Sequence, residues 1–282
     1  MSNAAHVFSP SPTRVAGRSQ SRFWGETKRL LALFEKHREA NDYPNAIACF
    51  GRLAQFGFHD LIRRPGYDRA KKSIVSIFQP QSGGAHLHQR MLQAGYRDFW
   101  WMFPNRLCQS VCYASDDALQ LFLRGGCTCH SHARPDPNIL AKLDRAGVEK
   151  IWIHLRNPAE SAVAAYQVRA PQTDLSSFVI EHIGYYVSWV VQWLRFDRAS
   201  PGLVAFSYHG ELADPHALLC RVFGELGAAP PARSSATAAD DRWRRPSGDD
   251  WRHGVTPEAQ TFVTRRVHAD LKEFPAFDRL WS

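Results

Sequence analysis

SIVSIFQPQSGGAHLHQRMLQAGY, residues 73–96, is the stretch on which the reading of this chain turns. Ile74, Val75, Ile77 and Phe78 make a short β-branched and aromatic run, the composition of a buried strand. A polar segment follows, Gln79-Pro80-Gln81-Ser82-Gly83-Gly84, and then a helix. The order strand, glycine loop, helix brings the unpaired amides of a helix start to one point, where they carry partial positive charge and suit an anion. Gly83 and Gly84 let a backbone approach such a guest without a Cβ in the way. The segment matches neither GxxxxGK[ST] nor GxGxxG, and it has no lysine. From these residues alone a plain turn and a phosphate cradle both stay open.

Working outward, IWIHL (151–155) and LVAFSY (203–208) read as two more buried strands, and GYRDFWWMF (95–103) as a further apolar piece. Between them lie helical stretches: NILAKLDRAG, and the long DLSSFVIEHIGYYVSWVVQWLRFD. Strands alternating with helices predict an α/β fold with a central parallel sheet flanked by helices. Ahead of it, residues 21–70 predict an N-terminal helical extension, broken into two helices near Pro44. Residues 1–20, rich in Ser, Pro and Ala, are expected to be a disordered lead. Residues 71–282 are expected to form the α/β domain. Within it, 227–241 reads as a linker or loop, and Thr256-Pro257-Glu258 as the capped start of a last helix.

The 282 residues carry a formal net charge of +8, which points to an anionic partner or simply to a soluble surface. The arginines are dispersed and no nucleic-acid-binding motif occurs, so no nucleic-acid partner is expected. No run of eighteen apolar residues is present, so no membrane span is expected. The six cysteines show no zinc spacing and no disulfide framework, which fits reduced thiols and a cytoplasmic location. No metal is implied.

Two later segments bear on the loop. In IWIHLRNPAES, Arg156 follows a strand, at the sheet edge where open α/β folds bind ligands. In RWRRPSGDDWRHGVTPE, arginines precede a capped helix and can grip a phosphate bidentately.

The order of these parts resembles the sulfotransferase family that uses 3'-phosphoadenosine 5'-phosphosulfate. Pro80-Gln81-Ser82-Gly83-Gly84-Ala85-His86-Leu87 is similar to that family's 5'-phosphosulfate loop, P-K-S-G-T-T-W-L. Arg156-Asn157-Pro158-Ala159-Glu160 is similar to its 3'-phosphate motif. FSYHGELADPH (206–216) resembles a Y-E-D-L strand end. RRPSGDDWRHG resembles its C-terminal R-K-G-x-x-G-D-W segment, with Arg244, Arg245, Gly248 and Trp251 in matching roles. CTCHSHARP (127–135) resembles a K-T-H-L-P segment, which puts His132 at the family's catalytic histidine and His130 at a lysine. The resemblance spans roughly residues 72–275.

It implies an enzyme that moves a sulfuryl group from 3'-phosphoadenosine 5'-phosphosulfate to a small-molecule or carbohydrate acceptor. It implies donor contacts at Gln81, Ser82, Gly83, Gly84, Ala85, His86, Arg156 and Ser161, besides the C-terminal four. His132 would be the base, and His130 the second choice. The departures are Gln81 for lysine, Asn157 for aspartate, and Ala164 where a serine is expected, with Ser161 as its substitute. The alternative they raise is a nucleotide-binding protein of the same fold with weakened turnover. Tyr185, Tyr186, Trp189 and Trp193 fit either an acceptor pocket or, by their helical spacing, the core.

Overall fold

The computed structural model describes residues 19–61, 68–98, 116–169, 171–230 and 251–281. Three strands form its central sheet: β1 (Ser76–Phe78), β4 (Ile151–Leu155) and β5 (Val204–Tyr208), in the order β1-β4-β5 and all parallel. Two short strands, β2 (Arg97–Asp98) and β3 (Cys127–Thr128), pair in parallel beside it. Parallel bridges from Ile74 to Thr128 and from Ile77 to Ser131 tie β3 and the residues after it to the β1 side. The spatial order is therefore β2-β3-β1-β4-β5.

The predicted strand 73–78 is shorter than its apolar run. Ser73 turns its hydroxyl to the Phe122 carbonyl and accepts the Cys127 amide, and Ile74 makes only an isolated bridge to Thr128. Of the expected apolar piece 95–103, Arg97–Asp98 is strand, and residues 99–103 lie outside the described residues.

Both faces of the sheet are covered, as parallel strands require. On one face Phe78, Trp152 and Ala205 meet α3 (Gly84–Gln93) and α8 (Pro215–Glu225) through Leu87, Met91, Leu219 and Phe223. On the other, Ile77, Ile153 and Leu155 meet α6 (Pro158–Arg169), α7 (Leu175–Ala199) and α9 (Pro257–Leu271). Shorter helices complete this side: α4 (Asp116–Phe122), α5 (Pro137–Arg145) and α10 (Phe277–Trp281).

The N-terminal helices are α1 (Ser19–Glu39) and α2 (Tyr43–Leu61). The break falls where Pro44 enters the first turn of α2, a position at which its missing N–H costs nothing. Phe34 and Phe50, both fully buried with ring centroids 6.0 Å apart, join the hairpin to the main core. The cap of α9 is as expected, with Thr256 accepting from the Ala259 amide. Among the described residues no helix is long and apolar enough to cross a membrane.

Candidate functional site

The parallel sheet delivers its carboxyl ends to one edge. The 79–84 loop leaves β1 there, Arg156 leaves β4, His209 leaves β5, and His130 to His132 run on from β3. Topology alone thus brings together Gln81, Ser82, Gly83, Gly84, Arg156, His130 and His132.

The loop has a tightly specified backbone. Gln81 and Gly83 both adopt the left-handed conformation, at φ 62° and 87°. For a non-glycine residue that conformation costs about 1–2 kcal/mol. It is held by a turn, Ser82 N–H to the Gln79 carbonyl at 3.1 Å, and by Arg156 Nη1 donating to the Gln81 carbonyl at 3.1 Å. At Gly84 a Cβ would stand 2.3 Å from Phe78 Cγ, so only glycine fits between strand and helix.

Among the described residues, the amides of Gly83, Gly84 and Ala85 have no hydrogen-bond acceptor. The Ser82 hydroxyl is buried and also lacks a partner there. Four donors are therefore unspent at the start of α3, a fit for a phosphate or phosphosulfate oxygen set.

Gln79, fully buried, was not singled out by the sequence reading. Its Oε1 accepts the Arg156 amide at 2.7 Å and its Nε2 donates to Ser161 Oγ at 3.1 Å. Ser161 thus sits within a strut joining β1, β4 and α6, with no exposure to solvent. The Arg156 guanidinium is paired with Glu160 at 2.8 Å, both side chains being mostly covered. Its Nη2 has no acceptor among the described residues.

Three imidazoles lie in series on the β3 side. His130 has ring centroids 5.0 Å from His132 and 5.5 Å from His88. His132 Nδ1 donates to the Phe78 carbonyl at 2.6 Å, which leaves Nε2 as the basic nitrogen of the neutral ring. Burial pushes the His132 pKa below the usual histidine value, and the Phe78 carbonyl opposes that shift. His130 is pushed down to about 2, by burial first and then by His132 and His88. These surroundings favour its neutral ring. Its Nε2 is buried without a partner among the described residues.

The backbone under His132 is fixed from α7. Trp189 Nε1 donates to the His132 carbonyl and Trp193 Nε1 to the Ala133 carbonyl, each at 3.1 Å. Both indoles are fully buried, so core packing and site positioning are one role here. Tyr186 is buried too, whereas Tyr185 is 45% exposed and carries the Arg134 guanidinium 5.2 Å above its ring.

Ala85 is exposed and His86 half-buried on the first turn of α3. Trp251 lies in the core against Trp281, with centroids 5.8 Å apart. Arg244, Arg245 and Gly248 lie outside the described residues, as does the aromatic segment 99–103.

Two more histidines were missed. His154 in β4 and His209 after β5 both reach the Ser82 carbonyl, at 3.1 and 2.8 Å. No signal within IWIHL separates His154 from an apolar filler, because its role depends on cross-strand register. Among the described residues no cluster of His, Cys, Asp or Glu is arranged to hold a metal.

No protein-family model matches the chain, and a search of curated proteins found no significant relative. Among solved structures it is similar to a sulfotransferase from Alicyclobacillus acidocaldarius. The identity is 20% and the TM-score 0.39, over 71% of this chain and 96% of that one. A superposition this loose assigns no role to any residue of this chain.

Proposed function

We propose that the protein is a sulfotransferase that takes its sulfuryl group from 3'-phosphoadenosine 5'-phosphosulfate and passes it to a hydroxyl or amine of a small molecule or carbohydrate. The observation that carries this reading is the set of unspent donors at Ser82, Gly83, Gly84 and Ala85, next to the Arg156 guanidinium on the neighbouring strand end. A ligand with two separate phosphate groups suits two such positive foci on one sheet edge. The donor, when bound, supplies an activated sulfuryl group with a nucleotide phosphate as leaving group.

The chain's own residues then do two things. The loop amides and Ser82 bind the 5' end, and Arg156, with Arg244 and Arg245 as further expected contacts, binds the 3'-phosphate. His132 takes the acceptor's proton at Nε2, its ring oriented by the Phe78 carbonyl as general bases commonly are. Group transfer of this kind rests mainly on positioning and electrostatics, which asks for a rigid loop and fixed donors.

A second reading, nucleotide binding with weak turnover, is favoured by one specific feature. Gln81 and the uncharged His130 stand where the resemblance expects two lysines. Transfer of radiolabelled sulfate from the donor to a panel of phenolic, alcoholic and saccharide acceptors separates the two. Transfer that is lost in His132→Ala, while nucleotide binding persists, supports the enzyme. Nucleotide binding with no transfer to any acceptor supports the second reading.

A further inference from the structure

The loop's amides can face an anion only if its carbonyls are turned away, and the Ser82 carbonyl is the one whose direction sets the Gly83 N–H. In a planar trans peptide these two groups point oppositely, and no cis bond occurs among the described residues. We propose that His154 and His209 are positioning residues of the anion loop, which clasp the Ser82 carbonyl from β4 and β5 and so aim the Gly83 amide, with those of Gly84 and Ala85, at the bound anion.

His154 is locked by a chain of bonds whose sense is forced at both ends. Trp152 Nε1 can only donate, and it donates to Ser207 Oγ at 2.7 Å. The Ser82 carbonyl can only accept, so His154 Nε2 carries the hydrogen. Ser207 then donates its own proton to His154 Nδ1 at 2.7 Å. Register explains the meeting: His154 lies opposite Ser207 in the β4–β5 ladder, with Trp152 on the same face.

His209 is held by a separate brace. It opens the 3-10 turn His209–Ala213, whose Glu211 accepts the Tyr208 amide at 2.7 Å. Arg221 grips both Glu211 oxygens at 2.8 and 2.9 Å and also bonds the Phe206 carbonyl. With both bonds made, the two lone pairs of the Ser82 carbonyl are filled. The His209 ring also backs Gly83, where a Cβ would come within 3.3 Å of Nδ1. Neither histidine touches the anion in this scheme, so each acts through the loop.

This inference rests on the anion reading of the loop, and the test separates it from the donor reading. The probe is inorganic pyrophosphate, followed through the backbone amide resonances of Gly83, Gly84 and Ala85 in the full chain. Wild type is expected to show those resonances move on titration. His209→Ala is expected to weaken binding by about threefold to tenfold, the value of one neutral hydrogen bond.

His209→Asn, whose amide can stand in for Nδ1–H, is expected to restore affinity to within about twofold, since it replaces that bond. A purely packing role would leave Asn as weak as Ala, because both lose the ring. Ser207→Ala, which frees the His154 tautomer without touching the loop, should weaken binding by about twofold or more.

Equal affinity in wild type, His209→Ala and Ser207→Ala would overturn the proposal, as would no response to pyrophosphate in wild type. Pyrophosphate binding with the expected ranking, but no preference for a 3'-phosphorylated nucleotide, would sink the sulfonate-donor reading and leave the clasp standing.

Discussion

Replacing Gln79 by leucine removes the strut under the loop while nearly preserving its volume. Gln79 has no exposure to solvent, so no water compensates. The Arg156 amide loses its acceptor and the Ser161 hydroxyl loses its donor. Each buried group left unpaired costs about 1–3 kcal/mol, so the variant should be less stable by about 2–6 kcal/mol. Urea unfolding followed by far-ultraviolet dichroism measures this directly.

The strut also couples Gln79 to Ser161. In Ser161→Ala the Gln79 amide is stranded, but in the double variant Gln79→Leu/Ser161→Ala the stranded hydroxyl is gone as well. The double variant should therefore be less damaged than the sum of the singles, by about 2 kcal/mol or more, because two stranded groups disappear together. A single-variant loss below about 0.5 kcal/mol, or strict additivity, would show that this strut is not holding the loop.

Other outcomes follow from the same geometry. Gly84→Ala forces a Cβ into the Phe78 ring and should cost about 1–3 kcal/mol, the usual penalty of overpacking, with loss of anion binding; unchanged thermal melting would contradict it. His132→Ala should lower turnover steeply with donor affinity nearly unchanged, read as kcat against Kd.

Stability should also depend on pH. Burial holds His130 at about 2 and His154 at about 3, below the unfolded value near 6.5. The unfolded chain therefore binds more protons below that pH, so stability is full above about 6.5 and falls as pH drops, by up to about 1.4 kcal/mol per unit per histidine. A melting temperature constant from pH 7 to 5 would refute this.

Much of the fold was legible because it depends on local composition. The β-branched runs at 151–155 and 203–208, the Pro44 break and the Thr256 cap each carry their own signal, and each lies where expected. The loop's glycines left a plain turn and an anion cradle both open. What holds the loop was not legible. Gln79, His154 and Ser207 act through cross-strand register, which appears only when β1, β4 and β5 align. His130 illustrates the limit from the other side. The family resemblance implies a cation's place for it, while its burial among His88, His132 and Phe78 favours the neutral ring.

Calorimetric titration with 3'-phosphoadenosine 5'-phosphate, set against adenosine 5'-phosphate, measures whether the protein recognises the donor's 3'-phosphate. Binding is expected to depend on the 3'-phosphate and to weaken about tenfold to a hundredfold in Arg156→Ala, the loss of one charge-assisted contact. Equal affinity for the two nucleotides, or no binding of either, would contradict it.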